Sequence, residues 1–190
     1  REAITRAATV VVRYEYFNEH LDIAESIDRA VRLGNGRYIW IIGDDDYIPS
    51  GFLRDVVERL LMATEDISLI YFNRLVVDWK FQVIQAIAHP RWHKLEQELN
   101  MEEFVRRYTH WPGFVTSMIF RRGVYEEGRS FERPWHAGWG FLARIYFGGR
   151  AGRVLVVNYP SLAQRLGVHT WKGNWPRYWL VNMPRLLSDL

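Results

Sequence analysis

The sequence predicts an α/β fold: a single domain built on an open, mostly parallel sheet flanked by helices. Three observations carry this. Residues 38–42 (YIWII) form a continuous apolar run bounded by polar residues, the mark of a strand buried on both faces. The run lies between two amphipathic patterns, residues 18–33 and 50–63. A second apolar run, residues 67–72, follows. Helix, strand, turn, helix and strand thus come in the order of a parallel sheet covered by helices.

Residues 10–12 read as a short strand. In residues 18–33, Leu21, Ala24, Ile27, Ala30, Val31 and Leu33 recur near helical spacing, with Asn18 as the expected N-cap and Gly34 and Gly36 as the stop. The strand at 38–42 runs into Gly43 and three aspartates, Asp44, Asp45 and Asp46. Ser50 is the expected cap of the next helix, which buries Phe52, Leu53, Val56, Val57, Leu60 and Leu61. Beyond residue 72, residues 75–77 and 81–87 suggest a strand pair turning near Asp78 and Lys80. Residues 100–108 read as a helix, 114–120 as a strand, 138–147 as a helix and 154–157 as a strand. Residues 175–187 read as an amphipathic helix that Pro184 kinks.

Composition bounds the function. The chain has 190 residues, 48% of them apolar, enough for one domain with a core. A net charge of +3 is too modest to imply nucleic acid, and no nucleic-acid module is recognisable. Without cysteine there is no disulfide framework, thiol chemistry or zinc–thiolate site. No apolar run approaches membrane-span length, and no signal-peptide pattern is present. His89 and His93 lack a third ligand, and the glycines around 148–152 lack the strand and lysine of a phosphate loop. Arg106–Arg107 and Arg121–Arg122 are basic pairs that suit an acidic lipid or a lipid-linked phosphate.

In an open α/β sheet, ligands bind beyond the carboxyl ends of the strands. Three carboxylates placed there repel one another, and a divalent cation holding a phosphate offsets their charge.

The stretch from Gly36 to Gly51, GRYIWIIGDDDYIPSG, resembles the central segment of family 2 glycosyltransferases of the GT-A fold, nearest to the abequosyltransferase-like bacterial group. Asn18, Gly36, Tyr38 and Pro49 fall where that family has a helix Asn, a turn glycine, a strand and a following proline. The likeness covers residues 15–172 and is strong over 18–60. It implies Mn²⁺ or Mg²⁺ and a nucleotide diphosphosugar donor, with a glycan or lipid-linked saccharide acceptor. It implies an inverting enzyme of cell-surface polysaccharide assembly, cytoplasmic or at the inner face of the membrane, with peripheral membrane contact and no nucleic acid. Residues 1–75 would be the nucleotide- and metal-binding part, and 76–190 the acceptor-binding part. The residues before Val10 are too few for the family's opening strand and loop, so the sequence reads as lacking that nucleotide-binding start.

Site residues follow from the same resemblance. Counting from Tyr38, Gly43 takes the place of the family's first aspartate, Asp45 and Asp46 hold the metal, and Asp44 faces the ribose. The other register pairs Asp44 with Asp46. Arg165 and Lys172 stand on a stretch that would close over the donor as a lid and add positive charge to the diphosphate. The family's base has no clean match, which leaves His136 and Glu132 as candidates. Trp111, Trp135, Trp139, Trp171 and Trp175 lie in glycine-, proline- and histidine-rich stretches. Flat rings in loops stack on sugars, so Trp135, Trp139 and Trp171 are the expected acceptor contacts. The competing reading is a non-catalytic relative that binds a glycan or a protein partner.

Overall fold

The computed structural model describes residues 13–16, 18, 21–85, 94–108, 114–166 and 175–190. The expected strand at 10–12, His89, His93, Trp111, Trp171 and Lys172 lie outside the described residues.

Six strands make one sheet among the described residues: β1 (Tyr38–Trp40), β2 (Ile67–Val77), β3 (Val83–Gln85), β4 (Glu96–Asn100), β5 (Met118–Arg121) and β6 (Arg153–Arg165). Their order is β1-β5-β2-β6-β4, with β3 hung on β2. Only β2 and β6 pair in parallel among them; every other ladder is antiparallel. The sheet is therefore mixed, not mostly parallel.

The expectation that residues 38–42 form a strand of a parallel sheet is corrected in the same way. β1 is three residues long and pairs antiparallel with β5, its one neighbour among the described residues. The run is apolar because both of its faces are covered. Ile39 joins one core cluster and Ile41 packs against it, while Tyr38 and Trp40 pack against the other. Covered faces remove the polar alternation whether or not a strand lies on each side.

The larger cluster sits under the helices α1 (Ile23–Leu33), α3 (Met101–Tyr108) and α5 (Gly140–Gly148). It brings Ile27, Val31, Phe104, Phe141 and Ile145 onto Leu69, Met118, Phe120 and Val154. The smaller cluster lies on the opposite face under α2 (Phe52–Met62), with Phe52 and Val56 against Ile70, Phe72 and Ile119.

The helix starts differ from expectation. Asp22, not Asn18, caps α1, accepting from the Glu25 N–H at 2.8 Å. Gly51, not Ser50, precedes α2, at φ 87°, where a side chain would be strained. β4 reads EQELN and gives no apolar run, because it is an edge strand that buries only Leu99. A short α4 (Arg122–Glu127) follows β5.

β2 and β6 are longer than their apolar runs. Their ladder shifts register between Phe72 and Arg74, opposite Pro160, which has no N–H to give. Asn73 fills the break: its Nδ2 donates to the Asn158 carbonyl at 2.8 Å, and its Oδ1 accepts from the Arg74 N–H at 2.7 Å. Past the break the two strands run on together to Val77 and Arg165. The chain ends in α6 (Trp175–Arg177), a π-helical turn (Tyr178–Asn182) and α7 (Met183–Ser188). The Met183 N–H closes the π turn on the Tyr178 carbonyl, and Pro184 stands in the first turn of α7, where a missing N–H costs least.

Candidate functional site: the acidic turn

β1 delivers the chain to Gly43 and the three aspartates, and the far ends of β2 and β6 hold that turn in place. Tyr47 forms a bridge with Ala163 of β6, each N–H donating to the other's carbonyl at 3.0 Å. On the opposite side, Thr116 braces the turn from the 3-10 turn before β5. Its Oγ1 accepts from the Gly43 N–H at 2.9 Å and donates to Asp46 Oδ2 at 2.5 Å. Trp40 Nε1 in turn donates to the Thr116 carbonyl at 2.9 Å.

The three carboxylates are not equivalent. Asp44 is exposed, and Asp45 and Asp46 are half-buried. Burial pushes the Asp46 carboxyl up to about 6, and the charges of Asp45 and Asp44 add to this. The Thr116 hydrogen bond and the Arg74 charge oppose it. Arg74 is buried, with Nε on Gln164 Oε1 at 2.7 Å and its guanidinium 4.6 Å from the centre of the Phe114 ring. A Cβ at Gly43 would stand 2.7 Å from Asp46 Oδ2 and 3.1 Å from Asp45 Oδ1. Glycine thus leaves room for both oxygens on one side of the turn.

These oxygens suit a hard divalent cation. Among the described residues no group of three or more His, Cys, Asp or Glu side chains is placed to hold a metal. A cation at Asp45 and Asp46 would take its other ligands from phosphate and water, the usual manner of Mg²⁺.

Arg165 ends β6 two residues beyond the Tyr47 bridge. Its guanidinium lies 5.5 Å from the centre of the Phe81 ring, and that ring meets Tyr47 edge-on at 6.0 Å. The structure therefore gathers Asp44, Asp45, Asp46 and Arg165 at one end of the sheet.

His136 and Glu132 sit elsewhere. His136 is 1% exposed. Its Nδ1 accepts from the Arg133 N–H at 3.1 Å, so Nε2 carries the proton toward Asp189 Oδ2 at 3.0 Å. Glu132 Oε2 is held by Arg144 at 2.6 and 2.7 Å. It borders a cavity of about 590 Å³ with Asp28, Tyr125, Arg129 and Arg144. Both side chains thus have structural partners, against the expectation of a base between residues 131 and 136. Trp139 is corrected as well: it is fully buried, donates Nε1–H to the Tyr178 carbonyl at 2.8 Å and packs against Trp179. It anchors the C-terminal segment and has no face for an acceptor. The side chains of Trp135 and Trp175 lie outside what the structure describes.

Sequence reasoning missed Thr116 and Arg74 as parts of the site. The signal for Arg74 is present, a lone cation inside the run YFNRLVV. No protein-family model matches the chain, and no curated protein matches it.

Proposed function

We propose that this chain is a metal-dependent glycosyltransferase of GT-A-like fold, moving a sugar from a nucleotide diphosphosugar to a glycan or lipid-linked acceptor. The observation that carries the reading is the acidic turn at the end of β1. There a half-buried carboxylate, raised to about 6 by its surroundings, sits beside a second one across Gly43. Such a pair is costly when bare and is relieved by a bound cation.

In this reading Asp45 and Asp46 hold Mn²⁺ or Mg²⁺, and Thr116 fixes the orientation of Asp46. The metal, when bound, supplies Lewis-acid stabilisation of the leaving diphosphate. Arg165 adds a cation on the same side. Asp44, exposed beside them, faces the donor ribose. The acceptor hydroxyl needs a base outside the paired His136 and Glu132. Work on lipid-linked acceptors would bring the protein to the inner face of a membrane from the cytoplasm. Among the described residues no helix is long and apolar enough to cross one.

A screen of UDP-, GDP-, CDP- and dTDP-sugars, with Mn²⁺ or Mg²⁺ and then with EDTA, tests the reading. Metal-dependent hydrolysis or transfer that Asp45→Ala abolishes supports it. Turnover unchanged in Asp45→Ala and Asp46→Ala overturns the assignment of the turn.

The engagement of His136 and Glu132 favours a second reading, a non-catalytic relative that binds a saccharide or a protein. Absence of hydrolysis and transfer for every donor and metal is its expected result.

A further inference from the structure

The β2–β3 hairpin carries exposed aromatic rings to the same end of the sheet as the acidic turn, and the site described above gives them no task. Its tip is built to a fixed shape. Asp78 Oδ1 accepts from the N–H groups of Lys80 and Gln82, both at 2.8 Å, and the Phe81 N–H donates to the Asp78 carbonyl at 3.0 Å. This holds Phe81 at φ 61°, a left-handed conformation uncommon for a bulky residue. The result is a ring 50% exposed, standing against Tyr47, itself 50% exposed and next in sequence to Asp46. Arg165 lies over the Phe81 ring, and its Nε is buried with no hydrogen-bond partner among the described residues.

We propose that Phe81, Tyr47 and Arg165 form a binding platform for a neutral pyranose ring beside the acidic turn. A pyranose offers an apolar C–H face for the two aromatic rings and vicinal hydroxyls for a guanidinium fork. Without a bound metal, the neighbouring aspartates repel an anionic ligand. An apolar peptide would offer the guanidinium no acceptor. The sugar's role as acceptor rests on the transferase reading; its binding does not, and is measured without metal or nucleotide.

The experiment is an immobilised-glycan screen of the whole chain, followed by saturation-transfer NMR with the best-binding methyl pyranoside. Nucleoside monophosphates run as a parallel arm. The expected result is saturation of the pyranoside ring protons, with affinity at least about tenfold lower in Phe81→Gly and in Arg165→Met, and retained in Phe81→Tyr. Phe81→Gly should unfold at the same temperature or higher, since glycine adopts this φ without strain. Loss of binding in that variant is then loss of the ring and not of the fold.

Three outcomes overturn the platform: no glycan binds the wild type, Phe81→Gly binds as well as the wild type, or only the nucleotides saturate, through their base protons. Saccharide binding of the expected kind together with absent turnover counts against the transferase reading and leaves the platform standing.

Discussion

Asp46 is held by opposing forces that a titration can separate. Its carboxyl is raised to about 6, burial being the largest cause, against an ordinary value of 3.8. The sign follows from linkage. Between pH 4 and 6 the unfolded chain has already released this proton while the folded chain keeps it, so stability falls as pH rises through that window. The fall amounts to at most about 3 kcal/mol, and less where solvent reaches the half-buried group. Thermal unfolding of the metal-free protein in EDTA, wild type against Asp46→Asn, should show a wild-type deficit that grows from pH 4 to pH 6 and then levels off. Parallel curves would remove the burial account. Gly43 tests the same geometry by sterics. Gly43→Ala places a methyl 2.7 Å from Asp46 Oδ2 and should push that carboxylate off Thr116, lowering Mn²⁺ affinity about tenfold or more with little loss of stability. Calorimetric Mn²⁺ titration reads it, and unchanged affinity would mean that the two carboxylates do not act together. The acids were legible because an apolar run meets three charges. Thr116 was not, since a threonine in a strand-like run is ordinary. His136 shows the opposite failure: its chemistry was legible, but the Asp189 that engages it lies 53 residues away.

At the scale of elements, the sequence located most helices and strands and misread how they associate. Apolar runs report burial, and β1, covered on both faces, looks the same at the end of the described sheet as in its middle. β4 was invisible because an edge strand buries little, and the far half of β6 because Asn158 and Pro160 resemble a strand end while Asn73 of β2 mends the ladder around them. β1 itself provides a check. Ile39 is buried in the main core and Ile42 is largely exposed. Ile39→Ala should cost roughly 2–5 kcal/mol and Ile42→Ala only a few tenths, measured by urea unfolding. Equal costs would contradict the placement of this strand.

Across the whole molecule, the acidic turn and the helical layer respond to pH with opposite signs. Asp28 of α1 is buried and receives Arg32 at 2.5 Å, Arg129 at 3.0 Å and Arg144, while Arg144 also holds Glu132. One carboxylate thus ties α1 to the segment before α5 and to α5 itself. Burial alone would raise its pKa, but Arg144, with Arg32 and Arg129, outweighs burial and holds it below 3.8. A depressed carboxyl contributes stability above its unfolded pKa, and that contribution is lost as pH falls through the folded value. Replacing it leaves the buried Arg144 with Glu132 alone, while Arg32 and Arg129 reach solvent, so the cost stays below the roughly 3–5 kcal/mol of a fully broken buried pair. Asp28→Asn should therefore destabilise the protein at pH 7 by about 1–3 kcal/mol, and the gap to wild type should narrow below pH 4. Asp46→Asn should do the reverse, matching the wild type near pH 4 and exceeding it at pH 7. Adding Mn²⁺ with UDP should raise wild-type stability at pH 7 by more than that of Asp46→Asn, because the variant keeps only Asp45 of the pair that holds the cation. Urea unfolding of the three proteins at pH 3, 5 and 7, with and without Mn²⁺ and UDP, reads all these differences. If Asp28→Asn and Asp46→Asn shift stability with pH in the same direction, the charge balance assigned to these two carboxylates is wrong.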